Sequence, residues 1–235
     1  MKWNNCSAFG FIRPDIASTR TYDTLPLCPL TLENDFSLPH EVCLDLLRHA
    51  ETEANANGFV AGALDVSLTD FGRVQAERSG KCLAKSYDLA FSSPLSRAKE
   101  TLRLATNSGD TTIHRYFEDP RLSERKLGVL ENQVWSDIPE YRAGNLQFAP
   151  EGGESYCEVL LRILDFLWDL TRLVHDEGVR SILICSHAGP MRILVGLLEE
   201  ERDPAKVLCR HFQNAHVMHY NKSSFTRPLF LGGAV

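Results

Sequence analysis

The sequence has no run of about 18 or more apolar residues, and residues 1–20 lack the apolar segment that signal peptides carry. These absences argue against a membrane-spanning helix and a secretory leader. The chain also lacks an excess of basic residues, since 25 Lys and Arg face 31 Asp and Glu for a net charge of −6. A negative balance argues against nucleic acid or an anionic membrane as a partner. We therefore expect a cytoplasmic protein.

Motifs for metal binding and redox chemistry are missing as well. The seven Cys residues include no C-x-x-C pair and no zinc-finger spacing with His, and their number is odd. Cys43 and Cys185 fall within apolar, strand-like runs, where we expect both to be buried as small hydrophobic side chains. This use of cysteine indicates a reducing compartment and predicts no metal site.

Strand and helix patterns alternate from about residue 41 onward. The predicted strands lie at about 42–48, 87–92, 111–114, 179–185 and 214–220, and the predicted helices at about 69–85, 93–105, 155–176 and 190–200. This alternation predicts an α/β fold of the three-layer α/β/α kind, with a mostly parallel sheet and helices on both faces. We predict one domain at 41–235, preceded by a proline-interrupted N-terminal arm at 1–40.

Two of the predicted strands end in a histidine. Arg48 and His49 close one apolar run, and His187 closes another directly before a predicted helix. Ligands of open α/β sheets bind beyond the carboxyl ends of strands, and helix N-termini attract anions. Arg97, in the first turn of another helix, and Glu124, in a loop, add a cation and an acid. Each residue alone is also a common solvated residue, but together they suit phosphoryl transfer through a phosphohistidine.

Six short segments carry a resemblance to a known family. They are LRHAET at 47–52 with Asn55, DVSLT at 65–69 with Gly72 and Gln75, SSPLSRA at 92–98, LSERKLG at 122–128, GGES at 152–155 and SHAGP at 186–190. In this order they resemble the histidine phosphatase superfamily, also called phosphoglycerate mutase-like, over about 42–220. One such motif is a weak signal, whereas six in register are specific. The resemblance implies the phosphoglycerate mutase-like fold.

The resemblance also implies a mechanism. His49 attacks phosphorus through one ring nitrogen, while a backbone carbonyl holds the other nitrogen as a donor. Glu124 protonates the leaving oxygen and then activates the water that hydrolyses the phosphohistidine. The residues expected to surround the phosphoryl group are Arg48, Asn55, Arg97, His187 and Ala188. No cofactor and no metal ion is expected, and the partner is a small phosphorylated metabolite rather than nucleic acid or membrane.

Within the superfamily, the stretches at 122–129 and 148–155 most resemble the TIGAR-type fructose-bisphosphatases. Only about 30 residues separate Glu124 from Ser155, and Arg125 and Arg142 are the arginines among them. The cofactor-dependent mutases carry a longer, Arg-rich insertion there, so we favour a phosphatase over a mutase. A low-activity binding module is a third alternative, which the complete set of five chemical residues disfavours.

Four positions depart from the family's usual pattern. Ala50 replaces a more usual Gly after the nucleophile, a change that the superfamily tolerates. Ala61, Leu127 and Asn132 stand where relatives often carry Thr or Gln, Tyr, and Gly, respectively. These three changes remove polar contacts or add bulk on the substrate side. They argue against fructose 2,6-bisphosphate as the substrate but leave the chemistry intact.

Overall fold

The computed structural model of the protein describes residues 36–134 and 138–225. The strands are β1 (Ser37–Arg48), β2 (Ser86–Ser92), β3 (Thr112–Glu118), β4 (Ser181–Ser186) and β5 (Val217–Ser224). The α-helices are α1 (Glu53–Ala56), α2 (Asp70–Ser79), α3 (Ser96–Ser108), α4 (Pro139–Arg142), α5 (Tyr156–Glu177), α6 (Ala188–Leu198) and α7 (Pro204–Leu208). Residues 37–40 of the predicted arm thus belong to β1, and residues 1–35 of it lie outside the described residues.

The five strands form one sheet in the order β3-β2-β4-β1-β5. β1 and β4, β4 and β2, and β2 and β3 pair in parallel, whereas β5 runs antiparallel to β1 at one edge. The prediction of a mostly parallel sheet is confirmed. Because β1, β2, β3 and β4 share one direction, the segments that follow them emerge at the same edge of the sheet, where ligands bind in such folds.

Helices cover both faces of the sheet, because successive strand residues point to opposite sides. Leu46 of β1 belongs to the core that contains α5 and α6, and the neighbouring Leu47 packs with Leu102 of α3 on the other side. The helix α2 packs on α3. The predicted three layers are confirmed. Across residues 36–134 and 138–225, every helix is too short or too polar to cross a bilayer.

The longest helix, α5, follows its sequence signals closely. The Ser155 hydroxyl accepts a hydrogen bond from the Glu158 N–H, and the Glu158 carboxylate accepts one from the Ser155 N–H at 2.7 Å, which forms a capping box. The helix ends at Gly178, whose φ of 66° is left-handed. Its buried stripe recurs every three or four residues at Val159, Ile163, Phe166, Leu170 and Val174.

Several local predictions are wrong. The strand β3 extends to Glu118 rather than residue 114, and β5 lies at Val217–Ser224 rather than 214–220. The helix α3 begins at Ser96 rather than Ser93, because Asp65 Oδ1 accepts hydrogen bonds from the Ser96 N–H at 2.9 Å and its hydroxyl at 2.7 Å. The helix α2 ends at Ser79 rather than near residue 85, and a 3-10 turn follows it. Cys43 is exposed, since alternate β1 residues face the core, whereas Cys185 is buried as predicted.

We predict that Ser155→Ala lowers the free energy of unfolding by about 1 kcal/mol, because α5 loses its cap. Urea unfolding measures this change, and the melting temperature should fall by about 2–4 °C. The matched control is Ser86→Ala at an exposed strand position. Equal effects of the two substitutions would contradict the capping role.

Candidate active site

The sheet edge brings together side chains that are far apart in sequence. His49 follows β1, His187 follows β4, and Arg97 lies in the first turn of α3, which follows β2. The side chains of all three are buried, with 4%, 0% and 1% of their residue surface exposed, respectively. The ring centroids of the two histidines lie 5.1 Å apart. The sequence predicted that these residues converge, and the structure brings them together.

His49 is held in one tautomer. Its Nδ1 lies 2.8 Å from the carbonyl oxygen of Ala50. A carbonyl can only accept a hydrogen bond, so Nδ1 carries the proton and Nε2 keeps its lone pair. Burial lowers the pKa of His49 well below its usual value, and the charges of Arg48 and Arg97 lower it further. The ring is therefore neutral at physiological pH and has one nucleophilic nitrogen.

His187 is held in the opposite tautomer. Arg97 Nε, which can only donate, lies 3.2 Å from His187 Nδ1. The Nδ1 atom is thus an acceptor, and in the neutral ring Nε2 carries the proton. Burial lowers the pKa of His187 well below its usual value, and nearby Arg97 adds to this. The paired tautomers give the site one ring nitrogen with a lone pair, on His49, and one ring N–H donor, on His187.

Two buried donors lack partners at this site. Arg48 Nε and His187 Nε2 make no hydrogen bond to any residue that the structure describes. Leaving a buried donor unpaired costs about 1–3 kcal/mol, and an anion that accepts from both would remove that cost. Arg48 itself is anchored through Nη1 to the carbonyl of Phe212. Burial lowers the pKa of Arg48 to about 10, while the charge of Glu124 opposes this.

Glu124 is fixed through one carboxylate oxygen. Its Oε1 accepts hydrogen bonds from the N–H of Arg125 at 2.8 Å and from the N–H of Gly189 at 3.0 Å. Gly189 lies beside Ala188 in the first turn of α6, the helix that His187 begins. An anion is favoured at a helix N-terminus, and here a carboxylate uses one of those N–H groups. Because both contacts use Oε1, Oε2 is left to exchange a proton.

Asn55 makes hydrogen bonds to the protein that the sequence did not predict. Its Oδ1 accepts hydrogen bonds from the N–H of Thr52 at 3.2 Å and from the side chain of Asn214 at 3.2 Å. The first of these completes the capping box in which Thr52 is the N-cap of the short helix α1. Asn214 also donates to the carbonyl of His49 at 3.1 Å. The predicted contact of Asn55 with a phosphoryl oxygen would use its amide Nδ2 as the donor, and it stays a prediction.

Sequence reasoning missed Arg192. This residue of α6 donates through Nε to the carbonyl of Arg210 at 2.9 Å and through Nη1 to the hydroxyl of Tyr156 at 2.7 Å. It lies close enough to Arg48 and Glu124 to affect the former's pKa and to be affected by the latter. The sequence indication of a site role for Arg192 was its position five residues after His187. Its neighbours are apolar, however, and they indicate an ordinary core helix.

The donor set suits an anion. The guanidiniums of Arg48, Arg97 and Arg192 surround the site, and Glu124 is the acid among them. Within residues 36–134 and 138–225 there is no group of three or more His, Cys, Asp or Glu side chains that could hold a metal ion. Planar guanidiniums and N–H groups match the oxygens of a phosphoryl group.

Comparison with known families agrees with this geometry. The model of the histidine phosphatase superfamily, branch 1, matches residues 44–225. The chain belongs to this superfamily. The matched range includes all five chemical residues that the sequence singled out.

Similar proteins include both phosphatases and mutases. A glucosyl-3-phosphoglycerate phosphatase of Mycolicibacterium vanbaalenii is 32% identical over 66% of this chain and 73% of its own length. A 2,3-bisphosphoglycerate-dependent phosphoglycerate mutase of Rhizobium etli is 31% identical over 64% of this chain and 77% of its own. A solved mycobacterial glucosyl-3-phosphoglycerate phosphatase in complex with VO3 has a TM-score of 0.61 and 26% identity, covering 77% of this chain and 90% of that one.

We predict that the free energy of unfolding decreases as the pH is lowered below about 6.5, the pH at which free histidine takes up a proton. His49 and His187 have lowered pKa values in the folded state, so the unfolded chain binds more protons there. Their contribution is complete above that pH and is lost as pH falls towards the lowered values, by about 1.4 kcal/mol per pH unit for each residue.

Urea unfolding between pH 7 and pH 5 measures this slope. The variant His187→Gln should show a shallower slope than the wild type, because one of the two protonations is removed. The control His114→Gln, at an exposed position of β3, should retain the wild-type slope. A wild-type slope in His187→Gln would contradict the assignment.

Proposed function

We propose that the protein is a metal-independent phosphatase, which hydrolyses a phosphomonoester through a phosphohistidine on His49. One observation carries this proposal, namely the opposite tautomers of the two buried histidines. The Nε2 atom of His49 has a lone pair, and the Nε2 atom of His187, in a ring centred 5.1 Å away, has a proton to donate. A phosphorus centre needs a nucleophile and oxygen-binding donors at this spacing.

The first half of the reaction forms the phosphoenzyme. His49 Nε2 attacks phosphorus and the bond to the ester oxygen breaks. Glu124, which has to enter this step in its protonated form, gives that proton from Oε2 to the ester oxygen as the alcohol leaves. His187 and Arg48 donate hydrogen bonds to the phosphoryl oxygens. Arg97 uses three of its five N–H groups on His187, Gly62 and Leu64, so two are left for the transition-state charge.

The second half releases phosphate. Glu124, now ionised, takes a proton from water, whose oxygen attacks phosphorus, and the N–P bond breaks to regenerate neutral His49. The hydrogen bonds from Arg125 and Gly189 keep the carboxylate in place through both steps. A positioned acid and base of this kind contributes about 10²–10⁴-fold to the rate.

The contacts of the Arg125 guanidinium favour hydrolysis over a mutase reaction. Its three guanidinium nitrogens donate to the Glu154 carbonyl, the Tyr141 hydroxyl and the Phe148 carbonyl, and the group lies 4.4 Å from the centroid of the Tyr156 ring. Arg125 therefore holds the loop together, and its charge is not among those that act on His49 or His187. A mutase has to retain its phosphorylated intermediate, which calls for further cations on that side of the site.

The proposed substrate is a small phosphorylated metabolite. The TIGAR-type resemblance points to sugar bisphosphates, but Leu127 is buried and offers no polar contact, and Ala61 has no polar side chain. The named relatives point to glucosyl-3-phosphoglycerate and to phosphoglycerates as the first compounds to assay. Fructose 2,6-bisphosphate, other sugar phosphates and nucleotides complete the panel, with p-nitrophenyl phosphate as a general reporter.

We predict phosphate release from at least one of these esters in the presence of a chelator. His49→Ala should lose at least about 10³-fold in kcat, because the nucleophile is gone. Brief exposure of Glu124→Gln to p-nitrophenyl phosphate, whose leaving group departs without a proton from the enzyme, should trap a phosphoryl group on His49, which mass spectrometry of peptides detects. His114→Ala is the matched control at an exposed histidine.

Chelator-sensitive release, or equal release by His49→Ala, would remove the phosphohistidine mechanism. The same assay distinguishes the mutase alternative. Transfer of the phosphoryl group to an added glycerate, at a rate above that of release into water, would replace the phosphatase assignment.

We further predict that Gly189→Ala lowers kcat by about 10²-fold while the fold persists. A Cβ at Gly189 would lie 2.3 Å from Glu124 Oε1, so the flexible carboxylate has to move and the acid is displaced. Alanine is also a better helix former than glycine, so stability should not fall.

Gly178→Ala is the converse control for that variant. The φ of 66° at Gly178 disfavours alanine, yet a Cβ there meets no atom of the described residues within 4 Å. This variant should lose about 1 kcal/mol of stability with unchanged kcat. Full activity of Gly189→Ala would contradict the role of Glu124.

A further inference from the structure

The carbonyl that fixes the tautomer of His49 lies outside regular secondary structure. It belongs to Ala50, two residues beyond the end of β1, where strand pairing has stopped. Side chains from two helices hold the backbone there instead. The N–H of Ala50 donates to Thr101 Oγ1 of α3 at 2.9 Å, and the N–H of Glu51 donates to Gln75 Oε1 of α2 at 3.0 Å.

Gln75 acts on the same peptide group that His49 uses. The carbonyl of Ala50 and the N–H of Glu51 lie at opposite ends of one planar unit, so a contact that holds the N–H also sets the direction of the carbonyl. A donated hydrogen bond polarises the peptide and makes its carbonyl a stronger acceptor. Gln75 therefore supports the bond to His49 Nδ1 by both geometry and polarity.

Thr101 connects the nucleophile to a phosphate-binding residue. Its hydroxyl is fully buried, accepts from the Ala50 N–H and donates to the carbonyl of Arg97 at 2.6 Å. One hydroxyl thus fixes the backbone next to His49 relative to the backbone of Arg97. Valine has almost the same shape but can make neither bond.

We propose that Gln75 and Thr101 are positioning residues, which hold the Ala50 peptide so that His49 presents Nε2 as a nucleophile. This role rests on the proposed function for its effect on catalysis. The tautomer of His49 is a separate observable that does not depend on turnover. Neither residue touches the substrate, so a loss should appear in kcat and leave KM within about twofold of the wild type.

The first experiment removes the acceptor on α2. Gln75→Met has a similar volume without the oxygen, Gln75→Glu keeps an acceptor oxygen, and Gln147→Met is a control at an exposed glutamine. Nitrogen-15 NMR of the histidine rings, assigned with His49→Gln, measures the tautomer. Gln75→Met should increase the fraction with a bare Nδ1 and lower kcat about fivefold to tenfold, whereas Gln75→Glu and Gln147→Met should retain the wild-type tautomer.

The second experiment removes the hydroxyl on α3. Thr101→Val should change the ring spectrum of His49 and lower kcat about tenfold, and Thr101→Ser should restore both. Thr106→Val is the matched control, because this threonine is also buried in α3 but bonds only to carbonyls of its own helix. Equal losses in Thr101→Val and Thr106→Val would overturn the proposal. Gln75 is half-buried, so its variants decide the question if Thr101→Val does not fold.

The outcomes separate this proposal from the proposed function. An unchanged His49 spectrum with kcat near wild type in Gln75→Met overturns the positioning role and leaves the phosphatase assignment standing. A shifted tautomer in a protein that hydrolyses none of the esters supports the positioning role and removes the phosphatase assignment.

Discussion

Arg97 donates to His187 Nδ1 from a position with almost no solvent, and much of the site depends on that contact. A buried guanidinium is unfavourable unless its N–H groups have acceptors. The carbonyls of Gly62 and Leu64 and the ring of His187 provide them. A permanent donor on Nδ1 leaves His187 one option as a neutral ring, which is to carry its proton on Nε2. The orientation of the Arg97 guanidinium thus decides which nitrogen of the neutral His187 ring can donate a hydrogen bond.

Burial also determines the protonation state of His49. Desolvation and two neighbouring guanidiniums keep the ring neutral, and the Ala50 carbonyl keeps the proton on Nδ1. Like charges gathered in this way repel one another. Glu124, which acts on both Arg48 and Arg97, offsets part of that repulsion together with Asp65 and Glu131 near Arg97. Under the proposed function, an arriving phosphoryl dianion offsets more of it. The chain as a whole carries a net charge of −6, so the attraction for an anion is local to this sheet edge.

The site residues that the sequence predicted have one property in common, because each is marked by a local sequence pattern. Arg48, His49 and His187 follow apolar runs that end abruptly, and strand ends of a parallel sheet are where ligands bind. Arg192 escaped notice because its acceptors are the Tyr156 hydroxyl and the Arg210 carbonyl, 36 and 18 residues away in the chain. No local pattern encodes such contacts.

Errors in the predicted elements have the same origin. Proline and serine at 93–94 are a valid helix start, but Asp65, 31 residues upstream, caps α3 at Ser96 instead. The predicted contact of Asn55 with the substrate stays a prediction, while its oxygen accepts from Thr52 and Asn214. A partner far away in the chain thus decided where α3 begins, which local propensity alone does not capture.

Chemistry and selectivity are built from different parts of this fold. The reactive groups lie at strand ends and helix starts, which the sheet fixes. The loops around the site are held by other means, since Glu131 Oε1 accepts from the N–H groups of Ala63 and Leu127 at 3.0 and 2.9 Å and so joins two loops next to Arg97. Residues between these anchors can change without moving the histidines.

This division explains why one family contains both mutases and phosphatases. In the proposed mechanism, the phosphohistidine half-reaction uses the groups at the sheet edge, and what happens next depends on whether the loops retain a phosphorylated partner or admit water. Here the loop arginine nearest the acid, Arg125, donates to the Tyr141 hydroxyl and lies over the Tyr156 ring, so it serves the structure of the loop. Under the proposed function, the site then has fewer cations with which to retain a phosphorylated partner, and water accepts the phosphoryl group.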